Sequence, residues 1–357
     1  MSFWYRRGPC PKRHRASWRG ARPRQIFSAV KFNRWRPAFS ASVVAETLTI
    51  AMTGATGFLG RHLIECARSS GHRVRALTRR PVNANTDSQT VWVTGTLDDS
   101  AALKTLVAGA DVVVHAAGAI KALSRANFFL VNRDGTEAVV SAATGEGVKR
   151  LVLVSSLAAR EPTLSPYAAS KRAAEMVVEE YADRLDAIIL RPPAIYGPGD
   201  GETVRLFQMA VNGFMLAPGH PAARLSLIHV DDVASAVLAC CEHPQVSRLF
   251  EIDDGATGGY RWQDLADAAG QAVDRPLKIA HLASVFIWIL GLAGTLKGLI
   301  TRSPAMLTLA KVPELRHPDW VATAPRPDGW VPRWSLKDGF KDAIDWYSSQ
   351  NVLKRYF

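Results

Sequence analysis

From Glu46 onward the chain alternates short apolar runs with helical stretches. LTIAMT (48–53) predicts a buried strand, RHLIECARSSG (61–71) a helix ending at Gly71, and RVRALTR (73–79) a second strand. DDSAALKTLVAGA (98–110) predicts a helix opened by Asp or Ser, and DVVVHAAG (111–118) a third strand. NRDGTEAVVSAATGEG (132–147) predicts another helix and KRLVLVSS (149–156) a fourth strand. A helix through SPYAASKRAAE (165–175) and a strand at AIILRPPAIYG (187–197) complete the series. Strands that are apolar throughout are buried on both faces, so the repeated β-α-β order predicts an α/β fold with a doubly wound parallel sheet.

Past Gly197 the pattern loosens into turns and helices, with a strand at ARLSLIHV (223–230) and a helix starting at Asp231 or Asp232. This divides the chain into a nucleotide-binding domain over 46–198, joined by later strands from the C-terminal half, and a smaller, mostly helical substrate lobe over 199–357. The uncharged run LASVFIWILGLAGTL (282–296) would span about 22 Å as a helix, against roughly 30 Å of hydrocarbon in a bilayer. The expectation is therefore a buried helix roofing an apolar pocket rather than a transmembrane span, with shallow membrane contact as the alternative.

Gly54, Gly57 and Gly60 follow the first strand at GxxGxxG spacing, within TGATGFLG (53–60). The first glycine suits a tight turn, the second lets backbone approach a pyrophosphate, and the third allows close helix-to-strand packing. The N–H groups of the following helix start would then face the phosphates. At the end of the second strand a carboxylate would select a ribose 2'-hydroxyl and a cation a 2'-phosphate. Arg79 and Arg80 stand there, and no acid precedes Asp87, so NADP(H) is preferred and NAD(H) remains possible.

Eleven of the formal +12 charges belong to residues 1–44, which contain no Asp or Glu, so the body is nearly neutral. The basic signature of a nucleic-acid protein thus resides in a segment with too little apolar sequence to build a core, expected to be disordered. Its readings are a mitochondrial transit peptide, a nucleic-acid arm, or sequence upstream of the true start. Without such import the protein is expected in the cytoplasm, with no nucleic-acid partner. Cys10, Cys66, Cys240 and Cys241 form no CxxC, which predicts reduced thiols, and no zinc ligand cluster is present.

TGATGFLG, HAAG (115–118), VNRDGT (131–136), VSS (154–156), YAASK (167–171), RPPAIYGP (191–198) and IHVDDVA (228–234) occur in the order of the extended short-chain dehydrogenase/reductases. The chain resembles that superfamily from about Leu48 to Phe357, closest to its ketone reductase and hydroxysteroid-dehydrogenase-like branch, with GWVPRWSLKDGFKDAIDWY (329–347) similar to its closing helix. The resemblance implies a cofactor loop including Thr56, Phe58 and Leu59, adenine near Thr96 and Leu97, contacts along Ala116 and Ala117, and nicotinamide near Pro192, Pro193 and Ile195. It implies a catalytic Ser156, Tyr167 and Lys171. Lys171 would lower the Tyr167 pKa and hold the nicotinamide ribose, Tyr167 would move the substrate proton, and Ser156 would hold the same oxygen. Asn132 and His115 would assist or serve structure.

Three departures bear on the substrate, a small molecule in every enzymatic reading. The family's frequent acid is Thr96 here, the Ser156–Tyr167 spacing is short, and Leu225 replaces an arginine that grips nucleotide sugars, with Arg224 one position off. These favour an apolar or small carbonyl or alcohol. A nucleotide-sugar epimerase/dehydratase and a non-catalytic scaffold like the accessory dehydrogenase-like subunit of respiratory complex I remain alternatives, and a homodimer is compatible with all three.

Overall fold

The computed structural model describes residues 46–82 and 89–353; the basic segment 1–44 and its expected disorder lie outside them. The first half runs β1 (Thr49–Thr53), α1 (Phe58–Ser69), β2 (Arg73–Thr78), β3 (Thr90–Thr94), α2 (Ser100–Val107) and β4 (Val112–His115). It continues through α3 (Arg125–Phe129), α4 (Gly135–Gly145), β5 (Arg150–Val154), α5 (Pro166–Glu179) and β6 (Asp186–Arg191). Then come β7 (Ala194–Tyr196), α6 (Val204–Val211), β8 (Phe214–Ala217), β9 (Arg224–Leu225), β10 (Leu227–His229), α7 (Val230–Glu242) and β11 (Leu249–Glu251). The last elements are α8 (Trp262–Ala272), β12 (Lys278–His281), α9 (Ser284–Thr301), α10 (Val312–Arg316), β13 (Asp319–Trp320) and α11 (Leu336–Ser349).

Seven strands form one sheet in the order β11-β6-β5-β4-β1-β2-β3, and every neighbouring pair is parallel. The order reverses between β1 and β4, the topological switch point at which α/β sheets bind ligands beyond their strand ends. Each sheet face is covered by helices. Leu63, Cys66 and Ala67 of α1 pack with Val233 and Val237 of α7 on one side, and Leu103, Leu106, Val139 and Val178 of α2, α4 and α5 cover the other. A third cluster around Tyr196, Phe207, Phe340 and Tyr347 binds the later helices together. The closing helix α11 starts as its sequence indicates: Ser335 Oγ accepts from the Asp338 N–H at 3.2 Å and donates to its carboxylate at 2.6 Å.

The structure corrects several sequence expectations. Edge strands β3 and β11 are not among the expected strands: β3, TVWVT, carries the β-branched and aromatic residues of a strand, and β11 is three residues long. The run 187–197 is two strands, because Pro192 and Pro193 lack the N–H groups a ladder needs; β7 leaves the sheet and pairs with β10. The segment 223–230 likewise divides into β9 and β10. The run 282–296 lies in an 18-residue helix, α9, about 27 Å long. It is not buried: among its residues only Ile287, Gly291 and Gly298 are, while Leu299 and Ile300 are 67% and 82% exposed. Among the described residues α9 is the one helix long and apolar enough to cross a membrane, which removes the length argument based on the shorter run.

Helix α5 is tied to the sheet by a buried carboxylate. Glu175 accepts from Arg191 Nε and Nη2 at 2.8 and 2.6 Å and from Ser155 Oγ at 2.5 Å. Arg191 also lies 3.5 Å from Glu251 on β11. Removing Glu175 leaves the mostly buried Arg191 with only its longer contact to Glu251, and breaking a buried pair is costly. Glu175→Ala is expected to lower unfolding free energy by about 3–5 kcal/mol, measured by urea denaturation; a change below about 1 kcal/mol would show that the network contributes no more than a surface ion pair.

Candidate active site

The turn from β1 into α1 is shaped by its glycines. Gly54 has φ +75°, and a Cβ there would meet the Ala116–Ala117 backbone at 2.6 Å; at Gly60 it would meet the Gly54 carbonyl oxygen at 2.1 Å. These contacts press β1, the loop after β4 and the start of α1 together. Gly57 is the N-cap of α1 and offers no side-chain acceptor, so the N–H groups of Phe58, Leu59 and Gly60 remain available to a ligand. In front lies a cleft of about 770 Å³. Of the expected cofactor residues, Gly54, Thr56, Gly57, Arg79, Thr96, Leu97, Ala116 and Ala117 line it. Its shape, glycine floor and free helix start fit a dinucleotide.

Phe58, Leu59 and Gly60 form the first turn of α1, behind the cleft wall. Pro192, Pro193 and Ile195 are also off that wall; the Pro192 carbonyl accepts from the Leu157 N–H at 2.8 Å, bracing the turn after Ser156. Asp98 lines the cleft and was legible only as a helix-start residue, a role Asp99 fills by accepting from the Ala102 N–H at 3.0 Å. A hydrogen bond from Thr96 holds the Asp98 carboxyl below its usual range.

Past the cleft the expected Ser, Tyr and Lys converge. Ser165 caps α5, accepting from the Ala168 N–H at 3.0 Å, and Pro166 begins it. Tyr167 and Lys171 therefore share one helical face. Ser156 ends the extended segment after β5, where its Oγ accepts from the Ala158 N–H at 3.2 Å. Burial pushes Tyr167 up to about 12, with Ser156 opposing and Glu314 adding to the rise. Burial lowers Lys171 to about 8, against Glu175, and its Nζ donates to the Val154 carbonyl at 2.8 Å. Desolvation dominates the Tyr167 pKa, and Lys171 is not among the groups that shift it.

His115 and Asn132 are both held in hydrogen bonds within the fold. His115 is buried between Thr53 Oγ1 at 2.6 Å and Thr136 Oγ1 at 3.0 Å, and burial, then Lys171, lowers it to about 3. Asn132 sits in a π-type turn at Leu130–Asp134. It accepts from the Ala119 N–H at 2.7 Å and donates to the Ala119 carbonyl and Ser170 Oγ at 3.1 and 2.9 Å, clamping the post-β4 loop to α5.

Sequence reading missed the other wall. A small cavity beside Tyr167 is lined by Phe128, Ala305, Met306, Thr308, Ala310 and Lys311, among others. Lys311 Nζ lies 4.5 Å from the Tyr167 ring centroid and pairs with Glu314, which accepts from Ser165 Oγ at 2.5 Å. No local motif marks Ala305 to Glu314, because they reach the tyrosine from more than 130 positions downstream. Arg224, the displaced candidate for gripping a diphosphate, donates to the carbonyls of Gly258 and Gly259 at 3.0 and 3.4 Å.

The model of the NAD dependent epimerase/dehydratase family matches residues 50–252. A ceramide reductase of Caulobacter vibrioides (strain NA1000 / CB15N) is 41% identical over 309 residues, covering 86% of this chain and 96% of its own length. A 2-alkyl-3-oxoalkanoate reductase of Stenotrophomonas maltophilia (strain K279a) is 27% identical over 330 residues, 82% of this chain and 98% of its own. Among solved structures, MoeE5 in complex with UDP-glucuronic acid and NAD superposes with TM-score 0.64 at 22% identity, covering 84% of this chain and 99% of its own, a likeness of fold. The matched span runs from β1 through β11 and contains the glycine turn, Ser156, Tyr167 and Lys171, and on this evidence the chain is an enzyme of the NAD dependent epimerase/dehydratase family, within the extended short-chain dehydrogenase/reductases.

Proposed function

We propose that the protein is an NADPH-dependent reductase of a carbonyl group on a long-chain, ceramide-like lipid. The observation that carries the reductive reading is Tyr167: a phenol that burial keeps protonated, set on the wall of a small cavity of about 30 Å³ beside the cofactor cleft. The 41% identity to a ceramide reductase supports the lipid class. The occupied Arg224 and the apolar Leu225 weigh against a nucleotide diphosphate as substrate.

A bound nicotinamide supplies the hydride to the carbonyl carbon. Ser156 and Tyr167 both donate to the carbonyl oxygen, and Tyr167 gives up its proton as the oxygen becomes an alcohol. A phenol at about 12 holds its proton until an alkoxide of higher basicity develops. The Lys171 ammonium, one helical turn away, then offsets the tyrosinate charge. Arg79, exposed at the cleft rim, pairs with a 2'-phosphate and sets the preference for NADPH.

Tyr167→Phe is expected to lower kcat for ketone reduction by about 10²–10⁴-fold with little change in NADPH affinity; turnover confined to UDP- or dTDP-sugars in a substrate panel would refute the reductase reading. The reduction rate is expected to fall as pH rises through about 8, where Lys171 loses its proton, and to show no limb near pH 6–7 from His115, already neutral above about 3. The unfolded chain holds the lysine proton to about 10.5, so this group makes stability rise with pH between those values; a stopped pH–rate series and denaturation at each pH check both signs. Arg79→Ala is expected to weaken NADPH binding by about tenfold, the order of one charge-assisted hydrogen bond, and to leave NADH binding nearly unchanged in fluorescence titration.

A further inference from the structure

We infer that α9 docks in the plane of an anionic phospholipid bilayer and sets the Tyr167 cavity at the membrane surface, where a lipid substrate can enter from the bilayer. The entry of substrate rests on the keto-lipid reading above; the docking does not.

Helix α9 turns an apolar surface to solvent, with Phe286, Ile289, Leu292, Leu296, Leu299 and Ile300 all exposed. Exposed apolar side chains gathered on one helix mark an interaction surface. The surrounding charge selects its partner. Between residues 275 and 313 the chain has five Lys and Arg residues and no Asp or Glu, and Lys278, Lys297 and Arg302 are exposed. Exposed apolar side chains flanked by cations and by no acids suit lipid tails beneath anionic headgroups.

The opposite stripe of α9 decides its orientation. A Cβ at Gly294 would meet the Leu307 carbonyl oxygen at 1.9 Å, and the Leu309 N–H donates to Thr295 Oγ1 at 3.0 Å. The returning chain therefore backs the helix directly. That chain carries Lys311 and Glu314, so hydrocarbon cannot surround α9 and the helix lies flat rather than spanning. The same return supplies Met306, Thr308 and Lys311 to the cavity beside Tyr167. One layer of chain separates the bilayer-facing surface from the tyrosine.

The test is flotation of the full chain with vesicles of phosphatidylcholine containing phosphatidylglycerol, and with phosphatidylcholine alone. Wild type is expected to float with the anionic vesicles, and Phe286→Asp/Leu299→Asp and Lys297→Glu/Arg302→Glu each to bind at least about tenfold more weakly. Both keep residues 1–44, and circular dichroism verifies folding. Turnover of a short soluble ketone is expected to be unchanged in both, while turnover of a keto-lipid embedded in vesicles falls with binding. Wild type that stays unbound, or an aspartate variant that floats equally well, overturns the proposal. So does a lipid-free dimer in sedimentation that Leu299→Asp dissolves without any vesicle binding, which assigns the face to a second copy. Flotation needs no turnover, so a wild type that floats but reduces no ketone refutes the reductase reading alone.

Discussion

The constraint on which the site depends is the buried carboxylate of Glu175. It sits one helical turn past Lys171 on α5 and is held by Arg191 from β6 and Ser155 from the end of β5. Ser155 neighbours Ser156, so a single group fixes the helix that carries Tyr167 and Lys171 against the chain that carries their partner serine. A buried ion pair adds little net stability over a well-packed apolar pair, but losing one member is costly. Its effect is to make one arrangement of helix against strand much better than its neighbours.

Around that anchor, burial rather than charge sets the chemistry. Desolvation raises the phenol, lowers the ammonium and keeps His115 neutral, each by disfavouring the charged form. Tyr167 thus keeps its proton well above neutral pH. The glycine turn acts by a different means. Its close backbone contacts leave no room for side chains at Gly54 and Gly60, and Gly57, the N-cap of α1, lines the cleft without a side chain to cap the helix start.

The two halves of the molecule solve different problems. The parallel sheet buries continuous apolar strands under helices on both faces. The later half builds a cluster on Tyr196, Phe207, Phe340 and Tyr347, yet leaves α9 outside it. The same excursion that exposes α9 brings Lys311 and Glu314 back onto Tyr167, so the apolar surface and the second wall of the site are consequences of one chain path.

The amino-acid sequence by itself determined the doubly wound class, the glycine turn and the pairing of Tyr167 with Lys171, because each depends on period or spacing within a few residues. Ser156 was legible as the end of an apolar strand, and the capping of α11 by Ser335 as a local pattern. Edge strand β11 was not, since three residues carry too little pattern of their own, whereas TVWVT of β3 holds a strand signal that the expected series of strands left out. Only the tertiary structure decided that Lys311 and Glu314 face the tyrosine, that Asp98 enters the cleft, and that burial dominates in setting the phenol. It also decided that α9 lies exposed: an apolar run states that water is unfavourable, and the path of the rest of the chain determines whether protein is there to replace it.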